Sequence, residues 1–164
     1  MNSESYTFNI ATAANAQEIM ALINAAFTIE RTIFSKERVD LAGVLEHFQK
    51  GSFILARRID GADHEPVGCV YIESKNELGY FGLLSVAPSE QGRGLGAKLI
   101  AGAEDLCRKA GARSMYIRTI NLRTELPRYY RKLGYAIVRE EFPEQVPWAI
   151  RPYHYVIMEK ELTL

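Results

Sequence analysis

The chain has 164 residues, 48% apolar and 24% charged, with twenty basic and twenty acidic side chains. That length and composition suit one globular domain spanning 1–164 with a sizeable core. The cancelling charge excludes a strong polyelectrolyte partner, so neither nucleic acid nor a membrane surface is expected.

Tyr6, Phe8 and Ile10 alternate with polar residues and predict a strand. Asn15 and Glu18 stand three apart, in a capping-box pattern, ahead of Ile19, Leu22, Ile23, Ala26 and Phe27 at helical spacing. Leu41, Val44, Leu45 and Phe48 make a second helical stripe that Gly51 ends. "SFILARR" and "VGCVYIES" read as strands joined by a polar loop around Asp60 to Pro66. "KNE" at 75–77 is a hairpin turn into a third strand, "LGYFGLLSV". Leu95, Leu99, Ala103, Leu106 and Ala110 mark a helix closed by Gly111. "SMYIRTI" is a strand, and a short helix follows from Thr124 to Leu133, stopped by Gly134. "YAIVRE" is a strand, a loop with Pro143, Pro147 and Pro152 surrounds Trp148, and "YHYVIME" is the last strand. The order β-α-α-β-β-β-α-β-α-β-β describes a mixed α/β domain without repeats.

The charge is unevenly spread. Residues 1–90 carry seven basic and twelve acidic groups, residues 91–132 ten and three, and residues 133–164 three and five. The positive block suits a compact polyanion such as a nucleotide phosphate, or equally a set of solvated helix faces. The acidic lean of residues 1–90 favours a cationic acceptor. Cys69 and Cys107 lie far apart in apolar runs, outside any CxxC or zinc spacing, so they read as core thiols and no metal is expected. "MNSESYTFNI" is not a signal peptide, and no segment approaches the roughly 20 apolar residues of a membrane span. A cytoplasmic protein is expected.

The positive block opens with "SEQGRGLGA", residues 89–97, between a strand and a helix. A helix start leaves about four N–H groups without intrahelical partners and carries partial positive charge. With Gly92, Gly94, Gly96 and Ala97 there, a diphosphate can approach those N–H groups closely, and Arg93 and Lys98 add charge. A Gly-rich turn that only lets helix and strand pack is the plainer alternative. A P-loop fails, because Gly96 is followed by Ala97, Lys98 and Leu99. The dinucleotide fingerprint GxGxxG/A is met by Gly92, Gly94 and Ala97, but five residues separate it from the strand, and the next strand offers Arg118 rather than an acid for a ribose.

A third motif, Gln/Arg-x-x-Gly-x-Gly/Ala, is met by Gln91, Gly94 and Gly96. Here the chain resembles the GNAT superfamily of N-acetyltransferases. "LSVAPSEQGRGLGAKLI" is similar to the family's acetyl-CoA segment, and "YYRKLGY" at 129–135 to its Tyr-x-x-x-Gly-aromatic element. "FNIATAANAQEIMALINAAF" is similar to its first strand and helix, so the likeness covers nearly the whole chain. The resemblance implies a mostly antiparallel twisted sheet of about seven strands flanked by about four helices. It implies acetyl-CoA as co-substrate, with pantetheine along Leu84, Ser85 and Val86 and pyrophosphate on Gln91, Gly92, Arg93, Gly94, Leu95, Gly96 and Ala97. Gly82 would mark a bulge in that strand, which splays from its neighbour.

The implied reaction is direct attack of a primary amine on the thioester in a ternary complex, with Tyr130 as general acid to the leaving thiolate. Tyr129 is its positional rival. Candidates for proton removal from the amine are Glu73, Glu77 and His154, each also readable as an edge or packing residue. Asn121 stands nine residues before Tyr130, two more than the family's usual spacing, and is carried over as a cofactor contact. Trp148 fits either the acceptor pocket or a subunit contact, and a homodimer is common in the family. The acceptor is a small-molecule or peptide amine. A non-catalytic acyl-CoA sensor on the same scaffold would need Gly94 and Gly96 but not Tyr130.

Overall fold

A computed structural model describes residues 5–60 and 64–163. The reading of the extreme N-terminus around Glu4, and the middle of the loop expected around Asp60 to Pro66, lie outside the described residues. The elements in order are β1 (Tyr6–Ile10), α1 (Ala16–Ala26), α2 (Leu41–Lys50), β2 (Ser52–Arg58), β3 (Gly68–Lys75), β4 (Leu78–Val86), α3 (Leu95–Lys109), β5 (Ser114–Ile120), α4 (Glu125–Lys132), β6 (Ala136–Glu141) and β7 (Tyr155–Glu161). They follow the expected order.

The strands form one seven-stranded sheet in the order β1-β2-β3-β4-β5-β7-β6. Every neighbouring pair is antiparallel except β4 and β5. Parallel neighbours need a long crossover, and α3 supplies it. One apolar cluster lies against α3 and α4 and includes Phe81, Leu95, Leu99, Ile117 and Tyr130. The other lies against α1 and α2 and includes Ile19, Ile23, Val44, Phe53 and Leu83. The sheet is therefore covered on both faces, which is why β2 and β3 are buried almost continuously rather than alternately.

Local chemistry sets the ends. Asp40 caps α2 by accepting the Gly43 N–H at 2.7 Å. Asn76, at φ 56°, makes the tight turn between β3 and β4. Pro127 lies in the first turn of α4, where a missing N–H costs no helical bond. Gly134, at φ 99°, ends the segment after α4 while the Leu133 and Tyr135 N–H groups both bond the Tyr130 carbonyl.

Two local expectations change. Asn15 stands at the N-cap of α1, as expected, but its side chain bonds no helix N–H. Its Oδ1 accepts the Thr12 N–H at 2.9 Å and its Nδ2 donates to Glu18 at 2.7 Å, so it braces a preceding 3-10 turn. The last strand starts at Tyr155 rather than Tyr153, because the His154 N–H donates to the Asn121 side chain at 2.8 Å instead of extending the ladder.

Candidate active site

The site begins with an irregularity in β4. Its register against β3 runs Ile72↔Phe81 and Tyr71↔Gly82, then resumes at Cys69↔Ser85, so one extra residue stands on the β4 side. The left-handed residue is Leu83, at φ 50°, next to the glycine where the bulge was expected. A leucine there costs roughly 1–2 kcal/mol. The bulge flips the alternation: Phe81 faces the α3 cluster, Leu83 faces the α1 cluster, and Leu84 and Val86 face α3 again.

Beyond the bulge β4 leaves β5. The two strands pair only over Leu78–Tyr80 opposite Ser114–Tyr116. The Ala87 N–H donates to the Val67 carbonyl at 2.8 Å, so by antiparallel alternation Leu84 and Val86 aim their N–H and C=O groups at the open side. The Val86 carbonyl accepts Gln91 Nε2 there at 3.2 Å. Ser85 is buried and donates its hydroxyl to the Leu83 carbonyl at 2.9 Å, closing the bulge.

The parted strands open into a cleft of about 710 Å³ that crosses the sheet. Phe81, Ile117, Leu126 and Tyr130 line it on the α3–α4 side, while Phe27, Phe34, Tyr80, Trp148 and Tyr155 line the other. Trp148, left between two readings by the sequence, is thus a wall of this cleft.

At the α3 end the loop 91–94 turns twice through left-handed glycines, Gly92 at φ 79° and Gly94 at φ 80°. Gly94 is the N-cap of α3 and offers no side chain to its N–H groups, so Leu95, Gly96 and Ala97 present theirs outward. Nothing lies within 4 Å of where a Cβ on Gly92 would be. A Cβ on Gly96 would stand 3.1 Å from the Tyr129 hydroxyl. Beneath the loop Glu90 is buried, accepting the Tyr6 hydroxyl at 2.6 Å and Arg58 at 2.9 Å. The Tyr6 hydrogen bond, helped by Arg58, holds the Glu90 carboxyl below its ordinary range. Arg93 stays exposed on the loop. Lys98 does not: its buried Nζ has no hydrogen-bond partner and faces the Tyr6 ring at 5.5 Å.

The structure separates the two adjacent tyrosines. Tyr130 is buried against Phe81, with ring centroids 6.0 Å apart, and lines the cleft. Burial pushes its phenol well above the ordinary range, so it keeps its proton at neutral pH. Tyr129 is half-exposed and points to the start of α3.

Four other sequence candidates lie off the cleft lining. Asn121 Oδ1 accepts the His154 N–H, so it ties β5 to β7. His154 stacks on Phe142 and contacts Glu140 at 3.3 Å. Glu77 pairs with Arg113 at the exposed hairpin, and Glu73 sits at the outer end of β3.

The cleft contains an acid that sequence reading missed. Glu30 lies in the 3-10 turn after α1, is buried, and accepts a hydrogen bond from Arg123 at Oε2, 2.8 Å away. Burial raises its carboxyl above the usual range, against the pull of Arg38 and Arg123. No motif flags it, because its partner stands 93 residues away. The acidic lean of residues 1–90 does not reach the cleft either: five basic residues line it against three carboxylates. Among the described residues no group of three or more His, Cys, Asp or Glu is placed to hold a metal ion, and no helix is long and apolar enough to cross a membrane.

Residues 16–135 match the acetyltransferase (GNAT) family. No curated protein matches the sequence significantly. Among solved structures of similar fold, Ard1 from Thermoplasma volcanium is 15% identical, covering 98% of this chain and 99% of its own, with a TM-score of 0.78. Nourseothricin acetyltransferase is 17% identical, covering 97% and 99%, with a TM-score of 0.74. The NatC complex bound to Gag peptide and CoA is 16% identical, covering 97% and 99%, with a TM-score of 0.76.

Proposed function

The chain belongs to the GNAT acetyltransferase family, and from that premise we propose that it moves an acetyl group from acetyl-CoA to a primary amine by direct attack within a ternary complex. The observation that carries the reading is the parting of β4 from β5 beside the uncapped start of α3. An extended amide arm fits the open polar edge of Leu84 and Val86, and a diphosphate fits the N–H groups of Leu95, Gly96 and Ala97. Gln91, Gly92, Arg93 and Gly94 border that cradle, and Ser85 shapes the strand rather than touching the ligand. Coenzyme A in the NatC structure, of similar fold, supports a ligand of this kind.

Acetyl-CoA supplies the acetyl thioester. Tyr130, kept protonated by burial, is the proposed acid that donates to the departing thiolate. Glu30 is the proposed acceptor of the amine's proton: it is the buried carboxylate of the cleft, and only its Oε2 is engaged by Arg123. Burial raises its basicity, which suits the role. Asn121 is proposed to position the β5–β7 junction, not to bind the cofactor.

Calorimetric titration with acetyl-CoA, followed by a thiol-release assay over primary amines, tests the reading. Micromolar binding and amine-dependent thiol release are expected. Folded protein that gives no heat with acetyl-CoA sinks it.

A further inference from the structure

On the acceptor side of the cleft, away from α3, the carboxylates are already engaged. Glu30 holds Arg123, Glu37 holds Arg31, and Asp40 accepts the Gly43 N–H at the start of α2. That leaves Lys36, Arg38 and Arg118 among the cations of the lining. Lys36 lies at 4.2 Å over the Trp148 ring. Arg38 forms no ion pair or hydrogen bond among the described residues, and its guanidinium stands 5.4 Å from the Phe27 ring. Arg118 lies over the Tyr155 ring at 5.2 Å and, among the described residues, pairs with one carboxylate, Glu141, at 3.4 Å.

The two arginines line the same cleft from different elements. Arg38 enters from the segment before α2, and Arg118 projects from β5 on the face that carries Tyr80 and Tyr116, whose rings are 4.9 Å apart. Both guanidiniums pull the Tyr80 and Tyr155 phenols down against the effect of burial, as two cations near the same pair of rings must. Both side chains are exposed to a solute entering the cleft, and a bound oxyanion offsets the repulsion among cations that share one lining. Guanidinium groups match the geometry of a planar or tetrahedral oxyanion.

We propose that the acceptor is a small amine that also carries an oxyanion, such as a carboxylate or phosphonate, and that Arg38 and Arg118 hold that group while the amine faces the gap between β4 and β5. The assignment rests on the acetyl-transfer reading above. It makes an amino acid with an apolar side chain the natural acceptor class, since Phe27, Phe34, Trp148 and Tyr153 wall the same chamber. It also reverses the cationic acceptor suggested by the charge of residues 1–90.

Trp148 is the chain's single tryptophan and lines the chamber, so its fluorescence reads acceptor binding without chemistry. The whole chain is titrated, with and without saturating coenzyme A, with leucine, phenylalanine and methionine, with their aminoalkylphosphonate analogues, and with their amides, which keep the amine but lack the oxyanion. Tighter binding of either oxyanion series than of the amides, by ~10-fold or more, is expected. Comparing the two series identifies the oxyanion. Arg38→Gln and Arg118→Gln should each erase the preference while acetyl-CoA affinity stays within ~2-fold, and Arg38→Lys should retain part of it. Melting temperatures verify that the variants fold.

Amides that bind as well as the acids, no response to any oxyanion-bearing amine, or a preference that survives in either glutamine variant overturns the assignment. Protein that binds acetyl-CoA and acetylates only amines that lack an oxyanion refutes this assignment alone. Protein that binds the amino acids but not acetyl-CoA refutes the acetyl-transfer reading instead.

Discussion

The hydroxyl of Tyr80 occupies the space in which any residue other than glycine at position 82 would place its Cβ. Tyr80 is itself fixed, with the Tyr116 ring 4.9 Å and the Tyr71 ring 6.3 Å away. Gly82 is therefore required by the packing of a neighbour two residues back on the same strand, whereas the backbone strain falls on Leu83. Gly82→Ala should lower stability by roughly 1–3 kcal/mol through overpacking. Adding Tyr80→Phe, which removes the intruding oxygen, should recover part of the loss. Thermal unfolding of the single and double variants checks this, and strict additivity would refute it.

Gly96 separates stability from binding. Alanine inside a helix gains about 1 kcal/mol over glycine, and the Tyr129 hydroxyl near the new Cβ is the far end of a side chain that can shift. Gly96→Ala should thus melt within a few degrees of the parent. If the N–H groups of this turn bind a diphosphate, the methyl should weaken acetyl-CoA by about 10-fold or more. Unchanged affinity by calorimetry would remove this turn from the binding site.

Tyr130→Phe should cut kcat by about 10²–10⁴, with the acetyl-CoA dissociation constant nearly unchanged. Because burial raises the phenol's pKa, the required proton is present at neutral pH and is lost only above the ordinary value of 10.0. Activity of the parent should therefore show no alkaline fall attributable to Tyr130 between pH 7 and roughly 9.5. A rate that survives the substitution would assign the acid role elsewhere.

Glu30 must be ionised to take a proton. Its pKa is raised above the ordinary 4.5, so activity should decline with falling pH earlier than for an exposed carboxylate. Glu30→Gln should lower kcat by about 10²-fold or more while leaving acetyl-CoA binding intact. A pH–rate profile for the pair of proteins distinguishes a proton acceptor from a strut: loss of rate with the acid limb unmoved would mean that Glu30 only anchors Arg123.

Glu90 gives the fold a dependence on acid. Its pKa is lowered in the folded chain, first by the Tyr6 hydrogen bond and then by Arg58. The resulting stability is fully present above the unfolded value and is lost as pH falls through the lowered folded value. Melting temperature should drop as pH decreases below about 4.5, and Glu90→Gln should flatten that drop at the expense of stability at pH 7. Equal slopes in the two proteins would show that other carboxylates dominate.

The order of the elements was legible in the sequence because each rests on local signals: alternation in β1, short apolar runs in β2 to β5, helical stripes in α1 to α3, and glycines at the ends of helices. The bare start of α3 was legible for the same reason, since Gly92 and Gly94 adopt the left-handed turns that glycine makes cheap. The family's Tyr-x-x-x-Gly spacing also singled out Tyr130 within a few residues of chain. The bulge was readable only to its neighbourhood, because packing rather than propensity put the positive φ on Leu83. What the tertiary structure alone decided is the acceptor side. Glu30 meets Arg123, and Arg38 shares the cleft lining with Arg118, across about 80 or more residues of intervening chain, and no periodicity encodes that. Charge counted along the sequence pointed to a cationic acceptor. Charge counted across the cleft points the other way, because five cations line it against three carboxylates and the buried one, Glu30, is held by an arginine that only folding brings within reach.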